Sequence, residues 1–155
     1  MATVGTPVFD EEKRASWFSH KGETAMPHYY KVYLADHDVV AEVTPTERAA
    51  MFRFTFPATD SANVIIDAFD RGSAINIDAS KHRVTGYTTR NSGGVPDNFR
   101  NYFVVEFDRP FEYFYTVTDS VLSKGATSAE GNHTGAIVGF KTSKGEIVNA
   151  RVASS

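Results

Sequence analysis

The residues of this chain able to carry chemistry are carboxylates, histidines and aromatic rings, and their spacing decides what each can do. Glycosidic hydrolysis needs two carboxyl groups across one bond, closer for retention and wider for inversion. Glu23, Glu42, Glu106, Asp67 and Asp97 supply the residue type, but no spacing selects an acid and a base from among them. Glu106 falls opposite Phe103 and Phe107 in an alternating run, which is where a solvent-facing side chain belongs. His20, His28, His37, His82 and His133 never occur as HxH or HExxH, so they read as surface or hydrogen-bonded histidines rather than zinc ligands. Asp36 and Asp38 flank His37 without the spacing or the distal glutamate of a calcium loop, so a plain turn is the better account. There is no GxSxG elbow to hold a nucleophilic serine. Asn132-His133-Thr134 matches a glycosylation sequon, a pattern common by chance.

Aromatic rings can stack on a pyranose face, and Trp17, Phe18, Tyr29, Tyr33, Tyr87, Tyr113 and Tyr115 are the candidates. Rings more often supply buried area. Trp17, next to a connector, stands out as a platform. His20 beside it, and Arg90 and Asn91 at the mouth of the longest central loop, complete the candidate substrate-binding set: Trp17, His20, Arg90 and Asn91. No catalytic and no metal-binding residue is nominated.

These residues need a frame, and the frame reads as all-β. Tyr30, Val32 and Leu34 alternate with Tyr29, Lys31 and Tyr33, the period of a pleated strand. Phe52, Phe54 and Phe56 alternate with Met51, Arg53 and Thr55. A slip by one residue would expose all three phenylalanines, each worth about 1.5–3 kcal/mol when buried, so the register is fixed. Further strands are expected at Ser16–His20, Val39–Thr44, Asn63–Phe69, Ala74–Ala79, Val84–Thr89, Tyr102–Phe107, Phe111–Thr118, Ala136–Phe140 and Glu146–Ala153. Met1–Arg14 reads as a lead-in, while Asn91–Asn98 and Ser123–Thr134 read as loops. About ten short strands between Gly, Pro, Asp and Asn turns, with no sustained helical period, predict an antiparallel β-sandwich. A flattened barrel is the competing architecture.

Composition narrows the function classes. At 155 residues the chain fits one domain, residues 1–155, and 41% hydrophobic content supports a packed core. A net charge of −3 with no basic stripe argues against nucleic acid. No apolar run reaches the roughly 18 residues of a membrane span, and there is no signal-peptide pattern at the start. With zero cysteines, disulfides and thiolate chemistry are excluded. Met1-Ala2 reads as an added start and IVNARVASS stops inside a strand pattern, so a domain cut from a longer polypeptide is expected.

One resemblance is specific. Phe18-Ser19-His20, Glu23, Ala25, Pro27, Tyr29-Tyr30, Val32 and Leu34, then Ala41-Glu42 and Thr44, resemble the FSHxxExAxPGYYxVxL…AELT pattern of glycoside hydrolase family 92, the bacterial exo-acting alpha-mannosidases. Arg53-Phe54-Thr55-Phe56-Pro57 is similar to that family's RYTFP. Gly86-Tyr87, Tyr102–Phe107 and Pro110-Phe111 are similar to its GYR…YFxxEFxxPF run. Ala136–Phe140 and Val148–Ser154 resemble its closing strands. The match runs in order from Trp17 onward and begins past the family's first segment. His28 departs from the usual glycine, so the turn there has to accept a side chain. The Asn91–Asn98 loop lacks the family's frequent tryptophan, which weakens any sugar contact there.

The resemblance implies an N-terminal β-sandwich, of the supersandwich kind seen in galactose-mutarotase-like proteins, joined to a barrel of paired helices. It further implies a calcium-dependent, inverting parent enzyme acting on terminal alpha-mannose of glycans outside the cytoplasm. Acid, base and calcium ligands would come mainly from the helical catalytic domain. This chain would be scaffold, helping to shape the active-site mouth. A stand-alone carbohydrate-binding module using Trp17 and a purely structural interaction domain are the alternatives.

Overall fold

The computed structural model describes residues 1–155. Fourteen strands form two antiparallel sheets facing each other, an all-β sandwich as expected, with more strands than the ten that the alternation revealed. They are β1 (Ala2–Val4), β2 (Thr24–Met26), β3 (Tyr29–Leu34), β4 (Val39–Pro45), β5 (Ala49–Phe56), β6 (Thr59–Asp67), β7 (Ser73–Asp78), β8 (Arg83–Thr88), β9 (Asn101–Phe107), β10 (Tyr113–Thr118), β11 (Val121–Lys124), β12 (Ser128–Gly131), β13 (Thr134–Thr142) and β14 (Glu146–Ser154). One helical turn, α1 (Glu11–Arg14), is capped by the Asp10 carboxylate, which accepts from the Lys13 N–H. The smaller sheet runs β1-β6-β13-β10-β11 and the larger β12-β7-β8-β9-β14-β5-β4-β3-β2. The last strand, β14, lies in the middle of the larger sheet, between β5 and β9.

The core sits between the sheets. From β5 come Phe54 and Phe56, with Phe52 packed at the margin; from β9, Val105 and Phe107; from β13, Ala136, Val138 and Phe140. The three in-register phenylalanines thus face inward, and the Phe107, Phe111 and Phe140 rings meet one another at 5.4–5.9 Å. Pairing of Val40 with Thr55, Lys31 with Glu42 and Val104 with Ala153 places the other set of each strand on the outer face of the larger sheet.

Three sequence expectations are corrected. Ser16–His20 is not a strand: it is a strap that ends in a 3₁₀ turn at His20–Gly22, where the Ser19 hydroxyl accepts from the Lys21 N–H. Met1–Arg14 is not a loose lead-in. Its β1 pairs with β6, Ala2 is buried in the core, and Phe9 and Arg14 are buried too. Ser123–Thr134 is not all loop, because β12 pairs with β7 through backbone bonds that need no apolar side chains. The turn at Pro27-His28 does accept a side chain, as His28 is not among the residues with positive φ.

The outer face of the smaller sheet has its own cover. On β13 the inward residues alternate with Gly135, Ile137 and Gly139. A Cβ at Gly135 would come within 2.2 Å of the Phe9 ring, and one at Gly139 within 2.1 Å of the Tyr113 ring. These two glycines leave hollows that the two rings fill. Phe9, Ile65, Val117 and Ile137 make a second, small core there, with Tyr115 and Leu122 against it.

Candidate functional site

The strands alternate in direction, so the larger sheet has two ends. Trp17 lies at one of them. Its N–H donates to Asp36 Oδ2 at 2.6 Å and its carbonyl accepts from the Ala35 N–H at 3.0 Å, which ties it to the turn after β3. The indole is 67% exposed. Nearby, His20 Nδ1 lies 2.5 Å from Glu23 Oε2, and the Tyr30 hydroxyl donates to the other oxygen of Glu23. The hydrogen bonds from Tyr30 and then His20 hold the Glu23 carboxyl below its usual range, and the same bond pushes the Tyr30 hydroxyl up. Phe18 packs edge-on to the His20 ring at 5.3 Å.

Arg90 and Asn91 lie at the opposite end, beyond β8, which stands five strands from β3 in the sheet order. At about 4.8 Å per strand that is about 24 Å across the sheet. Arg90 Nη1 pairs with Asp70 at 2.9 Å, and its guanidinium lies 5.0 Å from the Phe69 ring centre. Asn91 spends its side chain on its own loop: Nδ2 donates to the Thr89 carbonyl and Oδ1 accepts from the Gly93 N–H, both at 2.8 Å. An open depression of about 670 Å³ there is lined by Arg71, Arg90, Asn91, Ser92 and Gly93, none of them a hydrophobic residue. The four candidate substrate contacts therefore divide into two separate places.

The carboxylates do not converge either. Each one with shifted acidity (Glu23, Asp67, Asp78 and Glu146) is held low. A proton-donating catalytic acid needs the reverse. Glu42 accepts from the Tyr29 hydroxyl at 2.6 Å, and Glu106 pairs with Arg151 at 3.3 Å on the outer face. Asp36 and Asp38 are taken by Trp17 N–H and the Tyr33 hydroxyl. No group of three His, Asp or Glu side chains is placed to hold a metal ion. No helix is long and apolar enough to cross a membrane.

Two arrangements escaped sequence reading. In the first, Asp67 binds Arg14 Nη2 and His133 Nε2, each at 2.7 Å, and takes the Phe69 N–H at 2.9 Å. Burial works against its charge, but the bonds from Arg14 and His133 outweigh that and keep the carboxyl low. Arg14 Nη1 also donates to the Phe9 carbonyl at 2.7 Å, fastening the segment that covers the smaller sheet. His37 likewise has a structural role, bridging the Val4 N–H and the Arg14 carbonyl. Thr134, the last residue of the sequon, is fully buried, with its hydroxyl donating to Ser73.

The second lies on the outer face of the larger sheet. Thr44, Ala49, Val104 and Ala153 form the floor of a shallow depression of about 360 Å³, walled by Met51, Glu106 and Arg151. Small apolar residues at outward positions of β5, β9 and β14 were the available signal, masked by charged neighbours such as Arg53.

The family described as glycosyl hydrolase family 92 N-terminal domain matches residues 1–155. Among solved structures, a family GH92 inverting mannosidase from Bacteroides thetaiotaomicron VPI-5482 is similar with 35% identity and a TM-score of 0.94, over 100% of this chain and 21% of that one. A family GH92 alpha-mannosidase from Bacteroides thetaiotaomicron, in complex with mannoimidazole, is similar with 29% identity and a TM-score of 0.87, over 99% and 22% of the two chains. A further GH92 family glycosyl hydrolase shares the fold at 24% identity and a TM-score of 0.76, over 89% and 20%. The chain thus spans about a fifth of the length of these structures. No curated protein matches it.

Proposed function

This chain belongs to glycosyl hydrolase family 92 as its N-terminal domain, and from that premise we propose that it is the scaffold domain of an alpha-mannosidase acting on terminal alpha-mannose of glycans. The single observation that carries this reading is the match over the whole chain to a mannosidase about five times longer. In the proposed arrangement a helical catalytic domain supplies the acid, the base and the calcium site. This domain supports it and offers loop residues to the mouth of the site. The carboxyl groups held low here support a non-catalytic role. The proposed compartment is extracytoplasmic, periplasmic or cell-surface, where glycans are met.

The test is hydrolysis of an aryl alpha-mannoside. The longer polypeptide containing this chain is expected to turn it over, and to lose that activity when calcium is chelated. The 155-residue chain alone is expected to show none. Robust calcium-dependent turnover by the isolated chain would overturn the assignment of scaffold.

A second reading, a carbohydrate-binding module, is favoured by one observation, the exposure of the Trp17 ring. Titration of the isolated chain with mannose oligosaccharides separates the two. A scaffold shows no saturable change in tryptophan fluorescence, and a module does; Trp17 is the sole tryptophan, so the signal has one source.

A further inference from the structure

The turn between β6 and β7 meets the loop after β8, and Thr89 locks the two together. Its N–H donates to the Gly72 carbonyl at 2.9 Å, and its hydroxyl lies within hydrogen-bond distance of the Arg71 and Gly72 carbonyls. In the locked turn Phe69 and Arg71 are both left-handed, at φ 63° and 76°. Few residues with a side chain adopt that conformation, which glycine takes freely. An arginine held there points to a use for its side chain. The Arg71 guanidinium reaches across to the loop, where Nη1 donates to the Asn91 carbonyl at 3.2 Å. It thereby joins Arg90, whose guanidinium lies against the Phe69 ring.

Both guanidinium groups line the open depression of about 670 Å³. Asp70 spends its carboxylate on Arg90, whereas the side chain of Arg71 has only the Asn91 carbonyl as partner. Asp97 belongs to an adjoining hollow of about 330 Å³ that Arg71 also lines, and it pairs with neither arginine. On the same rim the Ser92 N–H finds no acceptor within the chain. Positive charge and unused donors therefore meet where there is no hydrophobic residue for a ligand to bury against.

We propose that this depression is a binding site for a tetrahedral oxyanion, a phosphate or sulfate ester on a glycan, held by the guanidinium groups of Arg71 and Arg90. That a glycan carries the ester rests on the reading of the chain as part of an alpha-mannosidase; the oxyanion site itself does not. Arginine presents its N–H donors as a planar fork that fits pairs of charged oxygens. One fork satisfies a flat carboxylate, while two forks from separate turns suit a group with three outward oxygens. The Phe69 ring holds one guanidinium in place and the Asn91 carbonyl the other, so little side-chain freedom is lost on binding.

Isothermal titration of the 155-residue chain with mannose 6-phosphate, mannose 6-sulfate, mannose and inorganic phosphate tests this. Saturable binding of at least one ester is expected, roughly tenfold or more tighter than that of mannose and weakening as salt is raised. The informative variant is Arg71→Gly, because glycine suits the left-handed backbone. It should keep or raise the thermal midpoint while weakening ester binding roughly tenfold or more. Arg90→Gln should weaken binding as well, with circular dichroism checking that each variant is folded. No saturable binding of either ester at millimolar concentration would overturn the inference, and so would ester binding that Arg71→Gly leaves unchanged. Inorganic phosphate bound as tightly as mannose 6-phosphate would uphold the oxyanion site and overturn its assignment to a glycan. If the longer polypeptide cleaves aryl mannosides while this chain binds neither ester, only the oxyanion site is lost. If it cleaves none, the functional reading fails instead.

Discussion

On the smaller sheet, Phe9 and Tyr113 sit in hollows left by two glycines, and Arg14 pins the covering segment to Asp67; on the larger sheet, Ala49 and Ala153 leave a hollow that the chain itself does not fill. The contrast shows that outward-facing sheet positions need not be solvent positions. Where the cover lies in the same chain, its residues are structural. On the larger sheet the small outward residues instead leave the hollow open. The two faces should therefore respond unequally to substitution in the isolated domain.

The largest effect is expected at Phe9. Phe9→Ala empties the second core and should destabilise the chain by about 3 kcal/mol or more in urea titration; a change below about 1 kcal/mol would mean the Phe9 segment is not a true cover. Arg14→Met removes the guanidinium from Asp67 and the donor from the Phe9 carbonyl, for an expected loss of about 2 kcal/mol. Acid should mimic it more gently. The Asp67 carboxyl is held below its ordinary value in the fold, so its contribution is fully present above the unfolded value of about 4 and fades as pH falls through the lower folded one. Thermal midpoints between pH 5 and pH 2 should fall less in Arg14→Met than in the parent chain. The smallest effect belongs to the bare face: Met51→Glu in the isolated domain should change stability by no more than about 0.5 kcal/mol. A large loss there would show that the face is already packed within this chain.

How much of this was legible in the sequence depended on periodicity. The Tyr29–Leu34, Ala49–Phe56 and Tyr102–Phe107 runs alternate cleanly because one face of each is buried by the opposite sheet, and these strands appear where the pattern places them. Phe9 was missed because Val8-Phe9, after Gly5 and Pro7, is too short to show a period, and its partner hollow is made of glycine, which carries no hydrophobic signal. The strand β12, Ser-Ala-Glu-Gly, was missed because its pairing with β7 runs through backbone bonds, which leave no hydrophobic pattern. The family motifs around Tyr30 are legible in physical terms as well, since Tyr30, His20 and Glu23 form one hydrogen-bonded group. The candidate contacts failed to gather for a topological reason. Trp17 follows the outer edge of the larger sheet at one end, and Arg90 follows β8 at the other, a separation that depends on strand order rather than on local sequence.

The position of β14 has a consequence for how the molecule is made. Until Glu146–Ser154 has been synthesised, the larger sheet exists as two unconnected flaps, β2 to β5 and β7 to β9 with β12, each ending in an open hydrogen-bonding edge. Joining them requires contacts roughly a hundred residues apart in the chain, Ala49 with Ala153 for example, and such long-range closure is slow. A ribosome-bound intermediate paused before residue 146 would present two sticky edges to its neighbours. Expression of this domain should therefore be governed less by its final stability than by how quickly its closing strand arrives.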